Sequence, residues 1–180
     1  MHTPVTVRSR NRRETAAGMA RGALMALLLA AGVPMLAGCS DPDFRDGLQA
    51  YQTGDYARAA HVWRRLAESG DRLAQHHLAN LYRAGLGVER DPGRALHWAR
   101  EAANGGHPEA YAHVAFLYQA GLGGRPRLRE AYQWYRLAAR NLPAGAKRRE
   151  AIRNRDRLAE RLTPAERRAA ARWLARYGGE

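Results

Sequence analysis

The sequence predicts an all-α fold, a short α-solenoid of stacked helix hairpins closed by C-terminal capping helices. Leu81–Gly87 reads LYRAGLG and recurs 36 residues later as LYQAGLG at Leu117–Gly123, identical at six of seven positions. Recurrence at a fixed period is the mark of a repeat array. The same offset carries Ala74 to Ala110, Ala95 to Ala131, Trp98 to Trp134 and Ala102 to Ala138. The apolar residues fall at helical spacing, whereas β-branched residues are few and no stretch alternates as a half-buried strand does.

The N-terminal 38 residues are set aside from the fold. Arg8, Arg10, Arg12, Arg13 and Arg21 precede an apolar run of 14 residues, Ala23 to Leu36. That run is too short to cross a bilayer core of roughly 30 Å but suits a signal-peptide core. It ends in LAGC, Leu36 to Cys39. This stretch resembles the lipobox of bacterial lipoproteins, in which the peptide is cut before the Cys and the thiol is acylated. The resemblance implies a lipid anchor on Cys39 and a place in the bacterial cell envelope. Ser40 directly after the Cys implies the outer membrane, facing the periplasm, and Asp41 one place later keeps the inner membrane as the alternative. Met19 offers a second start to the same signal. Cys39 is the sole cysteine, so an internal disulfide is excluded, and its acylation excludes thiol chemistry.

The mature chain of 142 residues is expected to form one domain. Residues 39–43 form the anchor and a short tether, and the repeats run from 44 to 141, about two and a half units. The half-unit comes first: at an offset of 35, Ala60, Trp63 and Ala67 map to Ala95, Trp98 and Ala102. In the first full unit Ala74, Leu78, Leu81 and Tyr82 share one helical face, and Ala110, Val114, Leu117 and Tyr118 repeat it in the second. Gly85 and Gly121 stand where a helix C-terminus takes a left-handed residue, with Gly87 and Gly123 completing each turn. Asp91 and Pro92 then supply an N-cap and a first-turn proline. Arg127 replaces the acidic cap in the second unit and leaves that helix start weaker. Trp63, Trp98 and Trp134 are expected to fill the space between hairpins, because one hairpin cannot bury both of its faces and a stacked copy can.

DYARAAHVWRRLAESGD, from Asp55, and AQHHLANLYRAGLGVERDPGRALHWAREAANGG, from Ala74, resemble the Sel1-like repeat, a relative of the tetratricopeptide repeat. The resemblance implies a two-helix unit and a scaffold or adaptor role with a protein or peptide partner, and it names no chemistry. Beyond it, residues 142–180 read as basic helices that partly cap the array. Thr163, Pro164 and Glu166 form a capping box, and Ala170, Trp173, Leu174 and Tyr177 make an apolar stripe able to cover the last repeat.

Residue chemistry argues against an enzyme. His76, His77 and His113 are not accompanied by the converging ligands that a metal needs, so no metal is expected. The two GLG stretches are explained as helix C-caps, with no phosphate loop and no cofactor. The carboxylates form no recognisable acid and base pair. His77, Tyr111, His113, Tyr132 and Tyr135 are the candidates for a partner groove. Charge is uneven. From Cys39 to Gly124 there are 9 basic and 10 acidic residues, and from Arg125 to Glu180 there are 16 basic and 6 acidic. The export signal in front argues against nucleic acid as the partner of this basic third, which leaves anionic lipid or envelope polymer. Lys147, Arg148, Arg149, Arg153, Arg155, Arg157 and Arg161 are the expected contacts. A solvated helix face is the plainer alternative.

Overall fold

The computed structural model describes residues 42–122 and 124–177. Cys39, the signal segment and Gly123 lie outside them. Eight helices follow in order among the described residues: α1 (Pro42–Gln52), α2 (Tyr56–Glu68), α3 (Arg72–Ala84), α4 (Pro92–Asn104), α5 (Pro108–Ala120), α6 (Leu128–Asn141), α7 (Ala146–Arg161) and α8 (Pro164–Tyr177). None is long and apolar enough to cross a membrane. Each packs on its predecessor up to α7, and α8 returns to pack on α6.

Three hairpins result, α1/α2, α3/α4 and α5/α6. The first is therefore a complete unit, and the helix begins at Pro42, two residues before the boundary expected from the sequence. Its register also corrects the expected one. The outer helices start at Asp55, Asp91 and Arg127, whose carbonyls accept from the N–H groups of Ala59, Ala95 and Ala131. The spacing is 36 throughout. The second turns agree: His107 N–H donates to Ala102 O as Asp71 N–H does to Leu66 O. Trp63 thus has Ala99 and Tyr135 as its counterparts, and Trp98 and Trp134 take the place of Val62. A slip of one residue turns a helix position by about 100°. That is why Trp63 is fully buried while Trp98, expected in the core, is only half-buried.

The core is built from alanine and leucine where helices approach. Ala59, Ala95 and Ala131 are fully buried, as are Ala74, Leu78 and Leu81 of α3 and Ala110, Val114 and Leu117 of α5. Small side chains let the helix backbones come close, and the leucines fill the remaining volume. Gly85 and Gly121 end α3 and α5 in the left-handed region, at φ of 71° and 68°. Asp91 caps α4 by accepting from Arg94 N–H at 2.9 Å, whereas Arg127 makes no side-chain cap bond on α6.

Trp63 is covered on several sides: Phe44 and Tyr51 of α1 have ring centroids 5.8 and 5.6 Å away, and the His77 ring of α3 lies tilted at 4.6 Å. At the far end, Trp134 is covered by Trp173 and Tyr177 of α8 at 5.5 and 5.2 Å. The Tyr177 hydroxyl continues past α6 to donate to Asn104 Oδ1 on α4. The start of α8 is fixed by the box read from the sequence. Thr163 N–H donates to Glu166 Oε2 at 2.8 Å, and Glu166 N–H donates back to Thr163 Oγ1 at 3.3 Å.

Candidate interaction groove

The first helices of successive units, α3 and α5, lie side by side with α7 after them, and a groove of about 400 Å³ opens among the three. Helical spacing selects its lining. From α3 come His76, Asn80 and Arg83, at i, i+4 and i+7; from α5 come Glu109, Ala112, His113 and Phe116; from α7 come Lys147, Glu150, Ala151 and Asn154. Tyr135 and Leu142 of the third hairpin complete it.

His76 and His113 line the groove, with His77 and His107 beside them. The His76 ring lies 4.8 Å from His107, 5.6 Å from His113 and 5.6 Å from His77, centroid to centroid. Burial disfavours the charged imidazolium, and neighbours add to it. Burial, then His107 and His113, takes His76 down to about 3. His113 falls to about 4, through burial and then the Arg83 guanidinium. Burial also lowers His77 and His107, although Glu109, 3.3 Å from His107 Nε2, pulls the latter the other way. The rings are therefore neutral at neutral pH. Asn80 Nδ2 sits 3.3 Å from His76 Nε2 and also donates to His76 O at 3.1 Å.

Neutral buried rings still have hydrogen bonds to make. Both ring nitrogens of His113, a residue only 9% exposed, are buried with no partner, as is Nδ1 of His76. Equivalent His77 is not in that position, since its ring lies tilted against Trp63; Ala99 stands at the matching place one unit on, with no indole for His113 to meet. Tyr135, at the third such place, is buried in the groove wall, and burial with Glu150 nearby raises its hydroxyl to about 12. At the rim, Lys147 pairs with Glu109 at 3.6 Å, joining α7 to α5. The Arg83 guanidinium lies 5.9 Å from the centre of the exposed Phe116 ring.

Of the five residues expected in a groove, His113 and Tyr135 line this one. His77 lines a smaller neighbouring hollow with Tyr51 and Leu86, which shares Asn80 and Arg83 with the main groove. Tyr111 and Tyr132 lie elsewhere: Tyr111 stacks on Trp134 at 6.1 Å, and Tyr132 sits under Arg136. The α7 wall was missed because its sequence reads as a charged helix, yet Ala151 and Leu158 are buried and seat it on α6.

The basic residues of α7 separate into two sets. Lys147 faces the groove, Arg148 is half-buried, and Arg155 pairs with Asp156 at 2.7 Å. Arg149, Arg153, Arg157 and Arg161 follow one another at four-residue spacing and are all exposed. Among the described residues no three of His, Cys, Asp or Glu are placed to hold a metal ion.

Two segments of the chain, 72–107 and 108–141, match the model of the Sel1 repeat. They span α3 to α6. Among solved structures, a protective antigen present in uropathogenic Escherichia coli strains and displaying an SLR fold is similar over 75% of this chain and 30% of its own, with 24% identity and a TM-score of 0.67. A Sel1 repeat protein from Oxalobacter formigenes is similar over 73% of this chain and 60% of its own, with 24% identity and a TM-score of 0.52. The chain thus spans under two thirds of either relative. No curated protein sequence matches it significantly.

Proposed function

Since the chain carries two Sel1 repeats inside a three-hairpin helical array, we propose that it is an interaction scaffold, holding a protein or peptide in the groove of α3, α5 and α7. The observation that carries this reading is the groove itself: α3, α5 and α7 each lend it three or four side chains. Recognition there makes and breaks no covalent bond. We place the scaffold in the bacterial envelope, tethered through acylated Cys39 and facing the periplasm from the outer membrane. The support is the LAGC sequence behind a basic flank and a short apolar run. A photoreactive residue at Phe116, exposed in the groove, should capture a discrete partner in cells, whereas one at His97, exposed on α4 and outside the groove lining, should not. No groove-specific adduct would sink the scaffold reading. Incorporation of labelled fatty acid, abolished by Cys39→Ala, tests the anchor.

A second reading is favoured by the exposed row of Arg149, Arg153, Arg157 and Arg161. It makes the protein a structural element of the envelope that docks on anionic lipid or cell-wall polymer. Each basic residue near an anionic surface contributes about 1 kcal/mol, screened over roughly 8 Å at physiological salt. Anionic liposomes should bind the chain at low salt and release it as salt rises, and replacing the four arginines with Gln should abolish binding with helicity intact. Absence of binding at low ionic strength would make the row a solvated face.

A further inference from the structure

Arg83 borders two hollows. It lines the groove of α3, α5 and α7, and it also lines the smaller hollow of about 230 Å³ beside α1. Each hollow has an exposed aromatic ring, Phe116 in the groove and Tyr51 in the smaller one, and these are two of the three large apolar side chains exposed among the described residues. Aromatic rings and arginine are the side chains that carry most of the binding energy where proteins meet. The Arg83 charge is unmatched. It makes no ion pair among the described residues, and its guanidinium lies 5.9 Å from the centre of the Phe116 ring. Of the carboxylates on the groove, Glu109 is held by Lys147 at 3.6 Å, and Glu150 stands on α7, which packs on α6. No carboxylate lines the smaller hollow, where Arg83 is the only Lys, Arg, Asp or Glu. Being half-buried, the guanidinium attracts an opposite charge more strongly than one fully in water.

Resting on the scaffold reading, we propose that the groove takes an acidic peptide segment in which one internal Asp or Glu pairs with the Arg83 guanidinium and apolar side chains on either side of it lie against Phe116 and Tyr51. The guanidinium fork matches a carboxylate with two parallel N–H donors. A single unmatched cation suits a singly charged group; a phosphate, with nearly two charges at neutral pH, would leave one uncompensated. Apolar surface lies on both sides of Arg83, with Leu86 beside Tyr51 and Ala112 beside Phe116, so the bound chain continues past the acid in both directions. That selects a side-chain carboxylate over the carboxylate that ends a chain.

The test selects binders against the full chain in detergent micelles from two randomised octapeptide libraries, both N-acetylated, one C-amidated and one with free C-termini. Peptides from the amidated library should carry an internal Asp or Glu with apolar residues on both sides. Replacing that acid by Asn or Gln should weaken binding to the wild-type chain roughly tenfold or more. Arg83→Gln should weaken the acidic peptide by a similar factor and leave its amide version within threefold, the coupling expected of two groups in contact. Arg83→Glu should instead select Lys or Arg at the same place. The peptide substitution leaves the protein untouched, so it decides the matter even where a variant unfolds. Selected peptides without an acid, no selected peptide at all, an acid replaced at less than threefold cost, or acidic peptides that bind folded Arg83→Gln as tightly would each overturn the proposal. So would binders found only with free C-termini, which would make the ligand a terminal carboxylate. A groove-specific partner adduct in cells, recovered together with any of these results, would leave the scaffold standing and remove only the acidic preference.

Discussion

Gly47 lies directly against the indole of Trp63, so close that a Cβ built on the glycine would fall 2.5 Å from the indole nitrogen. The ring cannot retreat, being fully buried between Phe44, Tyr51 and His77. Alanine is the better helix former by about 1 kcal/mol, so a helical Gly→Ala change normally stabilises. Here overpacking costs more. Gly47→Ala should destabilise the fold by about 1 to 2 kcal/mol net, read by denaturant titration. A stabilised variant would show that α1 is not seated on Trp63.

The 36-residue register separates tryptophans that look equivalent in sequence. Trp63→Ala removes a fully buried indole and should cost roughly 3 to 5 kcal/mol. Trp98 is half-buried, and its loss should cost about 1 to 2 kcal/mol, in proportion to the area hidden from water. Equal costs in urea unfolding would restore the 35-residue alignment.

Acid should weaken the fold through His76 and His113. Their folded values lie at about 3 and about 4, below the 6.5 of an unfolded histidine. The unfolded chain therefore binds more protons as pH falls below 6.5, and this pulls the equilibrium toward unfolding. Their contribution is fully present above pH 6.5 and is lost as pH falls through the range from 6.5 towards 4. Each neutral buried ring gives a slope of up to about 1.4 kcal/mol per pH unit. His113→Gln should remove one ring's share of that slope in stability profiles measured between pH 4 and 7.

The stripe on α8 shields Trp134, which meets Trp173 edge to face. Trp173→Ala should cost about 2 kcal/mol and shift Trp134 emission to longer wavelength. Ending the chain at Leu162 should expose the outer face of α6 and promote self-association, detectable by sedimentation. A truncated chain as monomeric and stable as the original would deny α8 its capping role.

The repeat and its helix ends were legible because they are local: AGLG closes a helix, Asp before Pro opens one, and both recur at fixed distance. The 35-residue alignment of the first unit failed because Trp63 and Trp98 are identical letters at non-equivalent places. The turn pairs Gly70-Asp71 and Gly106-His107 carry the correct spacing. His113 and Tyr135 could be singled out from the sequence, but Phe116, Asn80 and Asn154 could not. Their meeting depends on how α3, α5 and α7 stack, and that stacking is set by buried alanines rather than by the groove residues themselves.

The reach of Tyr177 to Asn104 bears on how the array comes apart. A chain of units coupled only to nearest neighbours frays from either end, one hairpin at a time. By running back over α6 to α4, α8 fastens the last unit to the one before it, so the C-terminal half should melt in a single step. At the other end, α1 packs on α2 and meets α3 through the Phe44 ring, 5.4 Å from His77, without the helix-on-helix seat that α8 has on α6. Local opening is then directional. It starts at the end nearest Cys39, and hydrogen exchange should find α1 the first helix to lose its protection.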